Sequence, residues 1–246
     1  MEKLENRTFV MGDIHGAYQA LIQCLERSNF NYENDTLIQL GDVVDGNPDV
    51  FECVEELLKI KNLNAIKGNH DVWFNQFLET DYQPQSWNYG GLTTLESYIK
   101  HCQPKGKIIK SGNGYKTSLN ASDIPGSHKI FFKSQLLYYI DNHNRCFIHA
   151  GFNRTKPFYE QEETNYYFDR TFWMDALALK KQGFDVNSLT RFNKVYIGHT
   201  ATTRWNSSTP MEAFEMTNLD TGAGHGGKLT IMDINSKEYW QSDAIK

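Results

Sequence analysis

Five apolar runs in this chain each end in a glycine-containing turn that carries Asp, His or Asn, and this recurrence constrains the fold more than any other feature. The runs are FVM before Gly12-Asp13-Ile14-His15-Gly16, LIQL before Gly41-Asp42-Val43-Val44-Asp45-Gly46, NAIK before Gly68-Asn69-His70-Asp71, CFI before His149-Ala150-Gly151, and VYI before Gly198-His199-Thr200. Short apolar runs of this kind read as buried strands. In open α/β sheets the loops at the carboxyl ends of the strands form the ligand crevice, and glycine lets such turns bend sharply. Each strand would thus hand a polar side chain to one common edge. Any one of these turns alone is ordinary: an Asx turn, a surface histidine or a helix cap explains it. Five in this order are rarely an accident.

The first third alternates between strand and helix. Strands are expected at Thr8–Met11, Thr36–Leu40 and Leu63–Lys67. Between them lie helical patterns, one with Leu21, Ile22 and Leu25 on a face and one opened by Pro48, with Val50, Phe51, Val54, Leu57 and Leu58 at helical spacing. A further helix is expected from Val72 to Leu78. This βαβαβ order implies parallel strands joined by right-handed crossovers. Further on, strands are expected at Leu136–Ile140, Arg145–His149, Lys194–Ile197, Lys228–Asp233 and Glu238–Gln241, with a helix over Thr171–Lys181.

Residues 81–134 differ in character, being rich in Gly, Asn, Ser and Lys, with helical stretches around Thr93–Lys100 and Ser127–Gln135. PKGKIIKSGNGYKTSLN reads as a mobile loop or hairpin. The reading is one domain over residues 1–246, with 81–134 inserted like a lid over one end of the sheet.

A formal charge of −5 leaves no global basic field for nucleic acid, so an anionic substrate would need positive charge supplied locally, for instance by metal ions. The four cysteines (Cys24, Cys53, Cys102 and Cys146) are far apart and read as buried free thiols. The chain opens as MEKLENRTFVMGD, with no apolar leader, and no stretch is long enough to span a bilayer. The expected setting is cytoplasmic, without a membrane partner.

The order of blocks resembles the calcineurin-like metallophosphoesterase superfamily, in its branch of bacterial and phage serine/threonine protein phosphatases and symmetrical dinucleoside tetraphosphatases. The resemblance covers essentially the whole chain and implies an α/β fold: a four-layer α-β-β-α sandwich of two mixed sheets. It assigns Asp13 and His15 to a first metal ion, Asp42 as the bridge between two, and Asn69, His149 and His199 to the second. Oxygen and imidazole ligands without thiolate suit Mn²⁺, with Fe or Zn²⁺ as alternatives. Two ions held by a carboxylate bridge roughly 3.5–4 Å apart clamp an in-line displacement, in which a metal-bridging hydroxide attacks phosphorus directly. His70, next to Asn69, is the candidate general acid. In the resembling families an acidic residue of the second block orients it, here Asp45.

One departure stands out. The resembling protein phosphatases read GDxVDRG in the second block, where the arginine grips phosphate, whereas this chain has Gly46 at that place. Arg170, in FDRTFW, is the candidate replacement, with Arg154 after HAGF as the weaker one. Asp71 stands where the tetraphosphatase branch commonly has Asp. GAGHGG at 222–227 is followed by a strand, which rules out a dinucleotide fingerprint and leaves a tight turn, with His225 as a loop histidine that could touch substrate. Lys105, Lys107 and Lys110 read as a solvated face. Trp87 and Tyr89, beside Gly90 and Gly91, could stack a base, shape a lid or pack under the insertion.

The sequence reading is therefore a phosphohydrolase cleaving phosphate monoesters, with a phosphoprotein, small phosphoester or nucleotide as partner. Dinucleoside polyphosphate hydrolysis is the alternative. A nucleic-acid end-processing phosphoesterase and a non-catalytic metal-binding scaffold stand behind these.

Overall fold

The computed structural model describes residues 6–83, 87, 90–102, 106–112, 114–184 and 188–246. Its strands are β1 (Thr8–Met11), β2 (Thr36–Gln39), β3 (Asn62–Ala65), β4 (Ile108–Ser111), β5 (Gly114–Thr117), β6 (Tyr138–Ile140), β7 (Arg145–Ile148), β8 (Lys194–Ile197), β9 (Met211–Ala213), β10 (Met216–Asn218), β11 (Thr230–Asp233) and β12 (Tyr239–Gln241). Its helices are α1 (Tyr18–Arg27), α2 (Val50–Leu57), α3 (Asn69–Thr80), α4 (Gly91–His101), α5 (Gly126–Ser134), α6 (Glu163–Phe168) and α7 (Thr171–Lys181).

One sheet has the order β12-β11-β1-β2-β3, with β1, β2 and β3 mutually parallel and β11 and β12 antiparallel to their neighbours. The other has the order β6-β7-β8-β10-β9, with β7, β8 and β10 parallel and β6 and β9 antiparallel at the edges. Parallel strands end on the same edge, so the turns after β1, β2 and β3 converge, as do those after β7 and β8.

Side chains alternate across a strand, and here both faces of each sheet are apolar. Val10, Ile38, Leu40, Ile66, Phe147, Tyr196, Leu219 and Met232 form one cluster drawn from both sheets. Their neighbours point the other way. Phe9, Met11 and Leu37 join Leu21, Leu25, Val54 and Leu57 of the helices, while Cys146, Ile148, Val195 and Ile197 join Phe172, Trp173 and Ala176 of α7. The result is the α-β-β-α sandwich. Each fully buried side chain of this kind contributes about 1.5–3 kcal/mol relative to exposure.

The segment read as an inserted lid supplies α4 and α5, which pack on α2 and α3 and place Leu95, Tyr98, Phe131 and Phe132 in the same core as Phe9. The lysine-rich stretch that follows α4 forms the β4–β5 hairpin. Lys107 and Lys110 are exposed, while Lys105 and Tyr89 lie outside the described residues. Short edge strand β9 with its partner β10, and the one-and-a-half-turn α6, carried no sequence signal. All four cysteines are free. Among the described residues no helix is long and apolar enough to cross a membrane.

Candidate metal centre

Asp13 and His15 lie in the turn after β1, Asp42 and Asp45 in the turn after β2, and Asn69 and His70 in the first turn of α3. From the second sheet, His149 follows β7 and His199 follows β8. Four of these residues, His15 (φ 49°), Asp42 (φ 55°), Asp45 (φ 70°) and His199 (φ 67°), sit in the left-handed region. That conformation costs L-residues roughly 1–3 kcal/mol each and persists only where the surroundings over-determine it.

The surroundings do so through backbone bonds. Asp71, the third residue of α3, accepts the N–H groups of Gly68 (3.1 Å), Asp42 (2.8 Å) and Val43 (2.9 Å), and the Gln135 amide at 2.9 Å. The His70 N–H, at the α3 N-terminus, donates to Asp42 Oδ1 at 3.0 Å, as helix ends favour carboxylates. Across the sheets, the His199 N–H donates to Asp13 Oδ2 at 3.0 Å.

Candidate ligand atoms gather into two groups that share Asp42: His15, Asp42 and His70, and Asp42, His149 and His199, the atoms of each group lying within 4.8 Å of one another. His15 Nδ1 donates to the Val44 carbonyl (3.1 Å) and His149 Nδ1 to the Leu40 carbonyl (2.7 Å). Those bonds occupy each Nδ1 and turn each Nε2 into the site, as in metal-ligating histidines. His149 Nε2 then faces Asn69 Oδ1 at 3.2 Å and Asp42 Oδ2 at 3.4 Å; burial would lower the His149 pKa, but Asp42 raises it above its ordinary value, so an ion bound here would displace a proton. His199 Nε2 is buried without any hydrogen-bond partner among the described residues. These donors fit a cation.

Electrostatics point the same way. Burial, then the charges of Asp220 and Asp42, push Asp13 well above the carboxylate range. Burial pulls His15 down to about 4, and burial followed by His149 and Arg170 holds His199 well below its ordinary value. Both imidazoles are thus neutral, the form that binds metal. Against the cost of burial, His149 and His70 hold Asp42 well below the ordinary range.

His70, a member of the first group by distance, is also held by Asp45. Its Nδ1 is 2.6 Å from Asp45 Oδ2, and burial, which would lower it, is outweighed by Asp42 and Asp45, which raise it to about 9.

Arg170, at the start of α7, donates from Nη1 to the His199 carbonyl and to Thr200 Oγ1, both at 2.9 Å, which brings it to the site edge without a carboxylate partner among the described residues. Arg204, in the helical turn Thr202–Trp205, adds a second positive charge that acts on it. Arg154 is turned to the outer surface, where it pairs with Asp175 at 2.8 Å and lies over the Phe172 ring. Gly46 adopts φ +78°, and a Cβ there would stand 3.0 Å from that of His15. His225 is exposed, its ring 6.3 Å from that of His15. Trp87 is fully buried and therefore offers no face for a base.

Sequence reasoning passed over Asp220, Arg204 and Thr94. Asp220 is a buried carboxylate whose charge acts on Asp13. It follows β10 as Asp-Thr-Gly, a sixth strand-end turn, hidden because β10 was not recognised as a strand.

The family model for calcineurin-like phosphoesterases matches residues 7–202. The chain belongs to this family. Calcineurin-like phosphoesterases are metal-dependent hydrolases, and the two ligand groups sharing Asp42 are consistent with a dinuclear centre. The chain is 23% identical over 231 residues to Serine/threonine-protein phosphatase 1 of Salmonella typhimurium, covering 92% of this chain and 91% of the relative. It is 22% identical over 276 residues to the symmetrical bis(5'-nucleosyl)-tetraphosphatase of Neisseria meningitidis, covering 96% and 95%. Among solved structures, one described as a candidate diadenosine tetraphosphatase superposes with a TM-score of 0.68 at 19% identity, covering all of this chain and 97% of its own. This calcineurin-like phosphoesterase thus has relatives in both named activities, and its substrate class is a phosphoester.

Proposed function

We propose that the chain hydrolyses phosphate monoesters at a dinuclear centre, with His70 as general acid and Asp45 as the group that orients it. The observation that carries this reading is the 2.6 Å bond between His70 Nδ1 and Asp45, beside two ligand groups that share Asp42. Asp13, His15 and Asp42 would hold one ion, and Asp42, Asn69, His149 and His199 the other, with Mn²⁺ preferred for a set of oxygen and imidazole donors. When bound, the pair supplies Lewis acidity at the phosphoryl oxygens and an acidified water as nucleophile, so no covalent phosphoenzyme is required.

The rest of the work falls to the protein. With Nδ1 bonded to Asp45, protonated His70 presents Nε2–H to the leaving oxygen, and the buried carboxylate steadies the imidazolium until the proton is transferred. Arg170, one nitrogen anchored on His199 and Thr200, turns its remaining N–H groups to the phosphate oxygens. The burial of Trp87 removes one support for a base-stacking site, which favours monoesters over dinucleoside polyphosphates.

A substrate panel tests the reading: p-nitrophenyl phosphate, its bis-ester, a phosphopeptide and diadenosine tetraphosphate, with added Mn²⁺. Monoester kcat/KM is expected to exceed that for the tetraphosphate, and chelation is expected to abolish turnover until Mn²⁺ returns. A clear preference for the tetraphosphate would overturn the monoester assignment, and full activity after chelation would overturn the dinuclear one.

A further inference from the structure

Asp45 is fully buried, with a backbone in the left-handed region. Two residues from the 81–134 segment reach it. Thr94 Oγ1, on the first turn of α4, accepts the Asp45 N–H at 2.9 Å and donates to Asp45 Oδ1 at 2.5 Å, gripping main chain and side chain together. Trp87 Nε1 donates to Oδ1 at 2.9 Å and to Oδ2 at 3.1 Å. Both residues are themselves fully buried. Gly90 and Gly91 allow this approach: a Cβ on Gly90 would stand 3.0 Å from the Asp45 Cβ, and one on Gly91 would enter the Trp87 ring at 2.7 Å. Only with glycine at both places can α4 and the tryptophan close on the same carboxylate.

We infer that Trp87 and Thr94 are positioning residues of the hydrolytic reaction, fixing the Asp45 carboxylate so that Oδ2 holds His70 in line with the leaving group. The inference rests on the reading of His70 as general acid. Its physical basis is the bonding pattern. With Oδ1 taken by Thr94 and Trp87, and Oδ2 accepting only the longer Trp87 bond, Oδ2 keeps a lone pair for His70. Without those donors the carboxylate is both underbonded in a dry site and free to rotate about its side-chain torsions. The segment therefore reaches the chemistry through Asp45, on the Nδ1 side of His70.

The test compares Thr94→Val, Thr94→Ser, Trp87→Phe and His70→Asn on p-nitrophenyl phosphate, whose leaving group needs little protonation, and on glycerol 2-phosphate, whose leaving group needs it fully. Thr94→Val is expected to lower kcat on glycerol 2-phosphate about 10-fold, the size of one lost bond to a charged group, with much less change on the aryl ester and none in KM or bound metal. Thr94→Ser should restore wild-type kcat. In the His70→Asn background, Thr94→Val should add nothing. A Thr94→Val loss that is equal on both esters, or that adds fully to His70→Asn, overturns the inference while leaving the acid in place. An equal loss on both esters for His70→Asn itself overturns the acid reading and the inference with it. Should Trp87→Phe fail to fold, the threonine pair alone decides.

Discussion

Asp71 Oδ2 accepts the Asp42 N–H at 2.8 Å, so the third residue of α3 holds the backbone of the shared candidate ligand, 29 residues away in sequence. The same carboxylate takes the Val43 and Gly68 N–H groups, tying the second strand-end turn to the third. Asp71→Ala would leave these buried donors unpaired and remove a helix-terminal acid. The expected cost is about 3 kcal/mol, read as a lower denaturation midpoint, with bound metal falling in parallel because Asp42 is released. A variant with wild-type midpoint and metal content would show the bridge to be dispensable.

Arg170 and Arg154 make opposite predictions. Arg170 stands at the site edge, and Arg170→Ala should cost on the order of 2–4 kcal/mol in kcat/KM on every phosphate substrate, as for loss of one transition-state donor. Arg154 is engaged with Asp175 on the surface, and its removal should change stability by less than about 1 kcal/mol and leave catalysis alone. Steady-state kinetics at matched metal occupancy decide, and equal effects would refute the distinction.

Gly46→Arg would recreate the arginine of the protein-phosphatase pattern, yet the backbone here forbids it. At φ +78°, with His15 Cβ 3.0 Å from any added Cβ, a side chain brings roughly 1–2 kcal/mol of strain and displaces a candidate ligand. Gly46→Ala should therefore lose as much metal affinity as Gly46→Arg. Titration calorimetry with Mn²⁺ on both variants checks this, and an alanine variant that binds like wild type would remove the steric argument.

The metal-free protein should lose stability as pH rises past neutrality. Burial opposes, but Asp42 and Asp45 raise His70 from its ordinary 6.5 to about 9. The folded state thus keeps a proton that the unfolded chain releases between those values. The stabilisation is complete below 6.5 and is lost as pH climbs through about 9; the gap is worth at most ~3 kcal/mol. Urea midpoints of the metal-free protein from about pH 7 to about pH 9.5 should fall, and His70→Asn should flatten the decline. A wild-type midpoint that rises over this range would contradict the assigned direction.

The strands bearing the five turns could be read from local pattern because each is a short apolar run closed by glycine, and alternation then places Val10 and Tyr196 between the sheets and Phe9 and Val195 outside them. What stayed hidden depends on contacts made across the chain. For Trp87 the sequence leaves base stacking, a lid and packing under the insertion all open, and only the packing of α3 and α4 buries it against Asp45. Arg154 follows a candidate ligand block by a few residues, but the turn swings it outward to α7. Asp220 was lost with β10, whose three residues, Met-Thr-Asn, carry too little periodicity to announce a strand.

The bond from the His199 N–H to Asp13 joins residues 186 positions apart, one from each sheet. A chain emerging from the ribosome in order would have its first candidate ligands exposed long before the last was synthesised. Loop closure over such a span is among the slower steps available to a folding chain. The group that includes His149 and His199 can therefore be complete only after both sheets have docked, so uptake of a second ion would mark the end of folding, and a chain truncated before His199 should accumulate without it.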